Sequence, residues 1–73
     1  MSTIGENIRF YRELANMTKE QLAYKLRIGP SKIDKYETGE LVPTKETLLK
    51  ISTCLDIPAS SLLNERKNKM LRN

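Results

Sequence analysis

Apolar residues recur three or four positions apart along most of this chain, so the pattern predicts helices and no strand. Ile4, Ile8, Tyr11 and Ala15, with Leu14 beside them, mark a first helix that starts near Thr3 and stops at Asn16-Met17. Thr3 and Glu6 have capping-box spacing, as do Thr18 and Gln21 at the start of a second helix. That second helix carries Leu22, Ala23 and Leu26 on its apolar side and ends by Arg27. Gly29 and Pro30 suit the cap and first position of a third helix, which runs to Thr38-Gly39. Ile28 and Ile33 have hydrophobic-staple spacing, and Ile33 and Tyr36 face inward. After the loop Glu40-Leu41-Val42-Pro43, Thr44 caps a fourth helix with the stripe Leu48, Ile51 and Leu55. Pro58 opens a short fifth helix through Leu62 and Leu63. The expected core is Ile8, Leu14, Leu22, Ala23, Leu26, Ile33, Tyr36, Leu48, Ile51 and Leu55.

The fold class is therefore all-α, a compact five-helix domain. Residues 1–63 are read as that domain, and residues 64–73 as a basic tail or an extension of the fifth helix. Arg66, Lys67, Lys69 and Arg72 make this last segment basic. With 73 residues and 38% hydrophobic content the chain can bury one small core, which excludes wholesale disorder. No apolar run reaches 18 residues, so no membrane span is expected. The N-terminus lacks a basic stretch followed by an apolar one, so no secretory signal is expected. A single cysteine, Cys54, rules out an internal disulfide and favours a reducing, cytoplasmic setting. Its apolar neighbours Ile51, Leu55 and Ile57 give it a packing role.

Chemistry for catalysis is scarce. There is no histidine, no metal-ligand cluster and no Gly-rich phosphate loop. Neither cofactor, metal nor small-molecule ligand is expected, and an enzyme is the weakest reading. The net charge of +4 is compatible with a nucleic-acid partner.

The informative feature is the second and third helices joined by very few residues, the arrangement of a helix-turn-helix unit. Ala23 must be small because the third helix crosses close to it. Ile33 and Tyr36 anchor that helix and turn its other face outward. From Ile4 to Leu63 the chain resembles the lambda-repressor-like, Xre-type helix-turn-helix family. The matching residues are Ile8-Arg9, Thr18-Lys19-Glu20-Gln21-Leu22-Ala23, Ile33, Tyr36-Glu37, Gly39, Pro43 and Thr47-Leu48-Leu49-Lys50-Ile51. The resemblance implies a third helix in the DNA major groove and binding to operators as a dimer. It also implies an ion pair between Arg12 and Glu37. The chain departs from the family pattern at four places. Lys19 replaces a common Gln, and Arg27 stands at a left-handed turn position where Gly is common. Pro30 cannot hydrogen-bond a base, and Glu40 stands where many members carry a basic residue.

Within that frame Ser31, Lys32 and Lys35 are the expected base-reading residues. A lysine donates to guanine O6 and N7, so a G·C pair is expected opposite Lys32 or Lys35. Asp34 belongs on the flank or accepts from cytosine N4. Lys19, Arg27 and Lys45 are expected to contact phosphates; outside the frame such charges would be ordinary solvated ones. A dimer interface is expected from Leu41, Val42, Ile57, Leu62 and Leu63, apolar residues left over once one core is filled. The expected function is sequence-specific double-stranded DNA binding by a small transcriptional regulator, a repressor. The alternative is a protein-interaction module of the same fold, such as an antitoxin or anti-repressor partner.

Overall fold

A computed structural model describes residues 3–64, which form α1 (Thr3–Leu14), α2 (Lys19–Leu26), α3 (Pro30–Thr38), α4 (Lys45–Leu55) and α5 (Ala59–Leu63). The basic segment from residue 65 onward lies outside the described residues. Local chemistry starts and stops these helices. Thr18 accepts from the Gln21 amide at 3.0 Å while its own amide donates to Gln21 Oε1 at 2.8 Å, a complete capping box. Thr44 accepts from the Thr47 amide at 3.2 Å. Thr3 itself is already helical, so it does not cap α1 in the way its spacing with Glu6 suggested.

Three helices end on a non-glycine residue in the left-handed region: Asn16 (φ 58°), Arg27 (φ 60°) and Asp56 (φ 59°). Each ending has the same pair of bonds. After α2 the Ile28 amide donates back to the Ala23 carbonyl at 3.0 Å and the Arg27 amide to that of Tyr24 at 3.1 Å. These are the two bonds of a Schellman closure, and they satisfy carbonyls that the helix leaves unpaired. Met17, Ile28 and Ile57, the residues that follow, all pack against the core.

The core consists of Ile8, Leu22, Ala23, Ile33, Tyr36, Ile51, Leu55 and Leu62. α3 packs on α1 and α2, α5 on α1 and α4, and α2 on α4. Leu26 and Leu48 are only half-buried at its margin. Leu14 was expected inside but is 66% exposed. At about 100° per residue it lies about 120° around α1 from Ile8. Arg12 takes the inward position instead.

Leu62 was expected at an intermolecular surface and is wholly buried. The reason is Asn7, itself buried in α1. Its side-chain amide donates to the carbonyls of Leu62 at 2.9 Å and Asn64 at 2.7 Å. That clamp seats α5 on α1 with Leu62 inward and Leu63 outward. Ile57, another expected surface residue, is half-buried against the core. Among the described residues no helix is long and apolar enough to cross a membrane. No group of His, Cys, Asp or Glu among them could hold a metal ion.

Candidate nucleic-acid interface

The outer face of α3 is set by what its inner face touches. Ile33 is wholly buried and Tyr36 nearly so. Glu37 completes the inner face: its carboxylate meets Arg12 through Nε at 2.7 Å and Nη2 at 3.3 Å. Both side chains are almost fully shielded, at 8% and 5% exposure. Arg12 also donates from Nη1 to the Met17 carbonyl at 2.7 Å, so one guanidinium joins the end of α1 to the end of α3. The hydrogen bond to Glu37 holds the Arg12 pKa above its ordinary value, against the opposing effect of burial. The expected pair is therefore present, bidentate and shielded.

A second constraint escaped the sequence reading. A Cβ on Gly5 would collide with the Tyr36 carbonyl oxygen and lie 2.6 Å from that of Glu37. α1 thus passes backbone to backbone against the C-terminal end of α3, and only glycine permits that approach. Together Gly5 and Arg12 fix where α3 points.

With that face held, Ser31, Lys32, Asp34 and Lys35 are all exposed. Ser31 and Lys32 lie in the first turn of α3 and Lys35 one turn later. Gly29 provides no side-chain cap, and Pro30 occupies the first helical position as expected. Lys19 is the first residue of α2, and its ammonium Nζ lies 2.6 Å from Asp34 Oδ1 on α3. This bridge lowers the Asp34 carboxyl below its ordinary pKa through the hydrogen bond and charge of Lys19. The sequence placed Asp34 on the flank or at a cytosine amine and gave no sign of its pairing with Lys19.

Arg27 is exposed in the turn between α2 and α3, in the strained left-handed conformation expected for it. It borders a shallow groove of about 410 Å³ with Leu49, Lys50, Thr53 and Cys54 of α4. Lys45 is exposed as the first residue of α4. The structure therefore joins Lys19 directly to the outer face of α3 and places Arg27 beside α4. Leu41 and Val42 are exposed in the loop after α3, and Leu63 is exposed on α5.

Comparison with known proteins agrees with this geometry. The sequence profile of the helix-turn-helix domain family matches residues 5–66. The transcriptional repressor RstR of the cryptic phage CTXphi in Vibrio cholerae is 35% identical over 74 residues, covering 94% of this chain and 66% of RstR. The HTH-type transcriptional regulator ImmR of Bacillus subtilis is 30% identical over 63 residues, covering 86% of this chain and 50% of ImmR. The chain thus spans between half and two thirds of the length of these relatives. Among solved structures, the restriction-modification controller protein C.AhdI of Aeromonas hydrophila superposes with a TM-score of 0.78 at 27% identity. That match covers 82% of this chain and 91% of C.AhdI. With five helices among its described residues, an exposed polar face on α3 and a sequence match over most of its length, this chain belongs to the helix-turn-helix domain family, in its lambda-repressor-like, Xre-type form.

Proposed function

We propose that this chain is a sequence-specific double-stranded DNA-binding protein that represses transcription from the operator it occupies. The observation that carries this reading is the two-sidedness of α3. Ile33, Tyr36 and the Arg12–Glu37 pair lock one side into the fold, and Ser31, Lys32 and Lys35 stand in water on the other. An anchored helix with a polar, partly cationic outer face is what major-groove reading requires. In this reading Ser31, Lys32 and Lys35 meet base edges, with a G·C pair opposite Lys32 or Lys35. Lys19, Arg27 and Lys45 meet phosphates, which supply affinity and no sequence information. The similarity to proteins named as a phage repressor and a transcriptional regulator supports the regulatory role. The chain works in the cytoplasm alongside its DNA and catalyses no reaction.

One α3 reads only a few base pairs, so the binding unit is a homodimer on a two-fold site. Phe10, Leu14, Tyr24 and Leu49 are also exposed, but of the residues expected at the interface Leu41, Val42 and Leu63 are the ones that stand on the surface, and they are the groups assigned to it. Selection of bound duplexes from a random pool, followed by sizing of the complex, tests the whole reading. The expected result is a symmetric consensus with a G·C pair in each half-site, and two chains per duplex. Absence of duplex binding at low salt, together with tight capture of a protein partner, would instead mark a protein-interaction module.

A further inference from the structure

Lys19 and Asp34 bridge α2 and α3 on the exposed side of the helix pair, with 2.6 Å between ammonium and carboxylate. Both side chains remain more than a third exposed, so each can exchange its partner for another. α3 has two acidic residues; Glu37 is buried on Arg12, and Asp34 alone faces outward. At about 100° per residue Asp34 lies about 60° around the helix from Ser31 and about 100° from Lys35, on the outer face. Lys19 keeps the Asp34 carboxyl below its ordinary pKa, so the group is ionised at neutral pH.

Two consequences follow from this placement. While the bridge is closed, its charges sum to zero. A phosphate drawn toward the ammonium then meets a carboxylate beside it, and the cation releases few counterions. The carboxylate, in turn, is an acceptor on the helix that carries the base-reading residues, and it suits the N4 amine of cytosine in the major groove. Exposed ion pairs are weak enough to open for such a competitor.

We infer that the Lys19–Asp34 bridge is a specificity switch. On DNA of the wrong sequence it stays closed and masks Lys19. On the operator Asp34 turns to a cytosine amine, and Lys19 is released to a phosphate. Reading one base is thereby coupled to gaining one backbone contact. Asp34 becomes a specificity-determining residue that raises discrimination by suppressing non-specific affinity. This inference rests on the DNA-binding function proposed above.

The test compares the wild-type chain with Asp34→Asn, Lys19→Ala and the double variant. The probes are the selected operator and a scrambled duplex of the same composition, followed by fluorescence anisotropy across a salt series. On the scrambled duplex Asp34→Asn should bind more tightly, with a salt slope steeper by about one. A fourfold rise in salt should then shrink that gain about 3.5-fold, from a slope of about 0.9 per phosphate. On the operator the gain should vanish or reverse, and a repeat selection should lose preference for one cytosine. In the Lys19→Ala background Asp34→Asn should leave the scrambled-duplex slope unchanged. Equal gains on both duplexes would overturn the switch, as would a slope change that persists without Lys19. Wild-type binding that showed no duplex preference or salt dependence would overturn the DNA-binding reading itself. Wild-type selection of an operator with Asp34→Asn behaving identically on both duplexes would overturn the switch alone.

Discussion

The Arg12 guanidinium and the Glu37 carboxylate are almost wholly screened from water, so each depends on the other. Arg12→Ala leaves a shielded carboxylate without its counter-charge and frees the Met17 carbonyl. Breaking one side of a buried pair costs about 3–5 kcal/mol, and urea unfolding of Arg12→Ala should show a loss of that order. A loss below about 0.5 kcal/mol, the scale of a surface change, would mean that the pair carries no weight in solution. Asn7 is a comparable case without charge. Asn7→Ala removes two donors from two carbonyls and should cost about 1–3 kcal/mol in the same measurement. Asn7→Asp should cost more than Asn7→Ala, because an ionised carboxylate only accepts and would face two acceptors. On the DNA side, Lys35→Ala should lose about 1–3 kcal/mol on the operator and relax base preference at one position. A variant with an unchanged consensus and merely a lower salt slope would make Lys35 a phosphate contact. These residues also differ in how readable they were. Arg12 and Glu37 were legible because a family pattern pairs their types at their positions. Asn7 and Gly5 were not, because their partners are backbone carbonyls, which leave no mark on residue identity.

At the scale of elements the apolar spacing marked the five helices of the described residues, and the caps Thr18 and Thr44 lie where their chemistry placed them. The misplacement of Leu14 came from counting it in a stripe whose inward slot is filled by a charged residue. Apolar periodicity has no means of finding an inward arginine. The short fifth helix failed differently. Leu62 and Leu63 are adjacent and identical, so composition does not say which one points inward; the Asn7 bonds to the Leu62 and Asn64 carbonyls seat the turn with Leu62 inside. The left-handed ends were partly legible, since Asn16 was readable as a stop and Arg27 as a departure from glycine. Asp56 had no such signal. Arg27 offers a direct test, because an arginine with φ of 60° is strained where glycine is not. Arg27→Gly should raise stability by about 1 kcal/mol, read as a higher midpoint in urea. Its salt slope on DNA should become shallower by about one if the guanidinium meets a phosphate. Arg27→Ala removes the same charge but keeps the strained backbone. It should share the DNA effect without the gain in midpoint. A midpoint that moves equally in both variants would show that the turn conformation is not what limits stability here.

For the whole molecule, one filled core leaves apolar side chains in water, and their distribution separates surface from interior. Val42 is 67% exposed and Leu63 54% exposed, whereas Leu62 beside it has no exposure at all. Apolar groups gain about 25 cal/mol for each Å² removed from water, so pairing two copies through such residues is favourable where their shapes permit. The same pairing would place two α3 helices on one duplex, which a single chain with one recognition helix needs for a site of useful length. Val42→Glu and Leu63→Glu should therefore leave the helical content intact, reduce the mass in sedimentation equilibrium to that of one chain, and weaken operator binding. Leu62→Glu should behave differently. It would bury a charge in the core and unfold the chain, so a lost dimer in that variant would say nothing about the interface. If Val42→Glu and Leu63→Glu both stay folded and keep the mass of two chains, the dimer is built from another surface. If the wild-type chain is already monomeric at micromolar concentration and binds its operator with one copy per duplex, the two-fold reading fails and α3 must achieve its specificity alone.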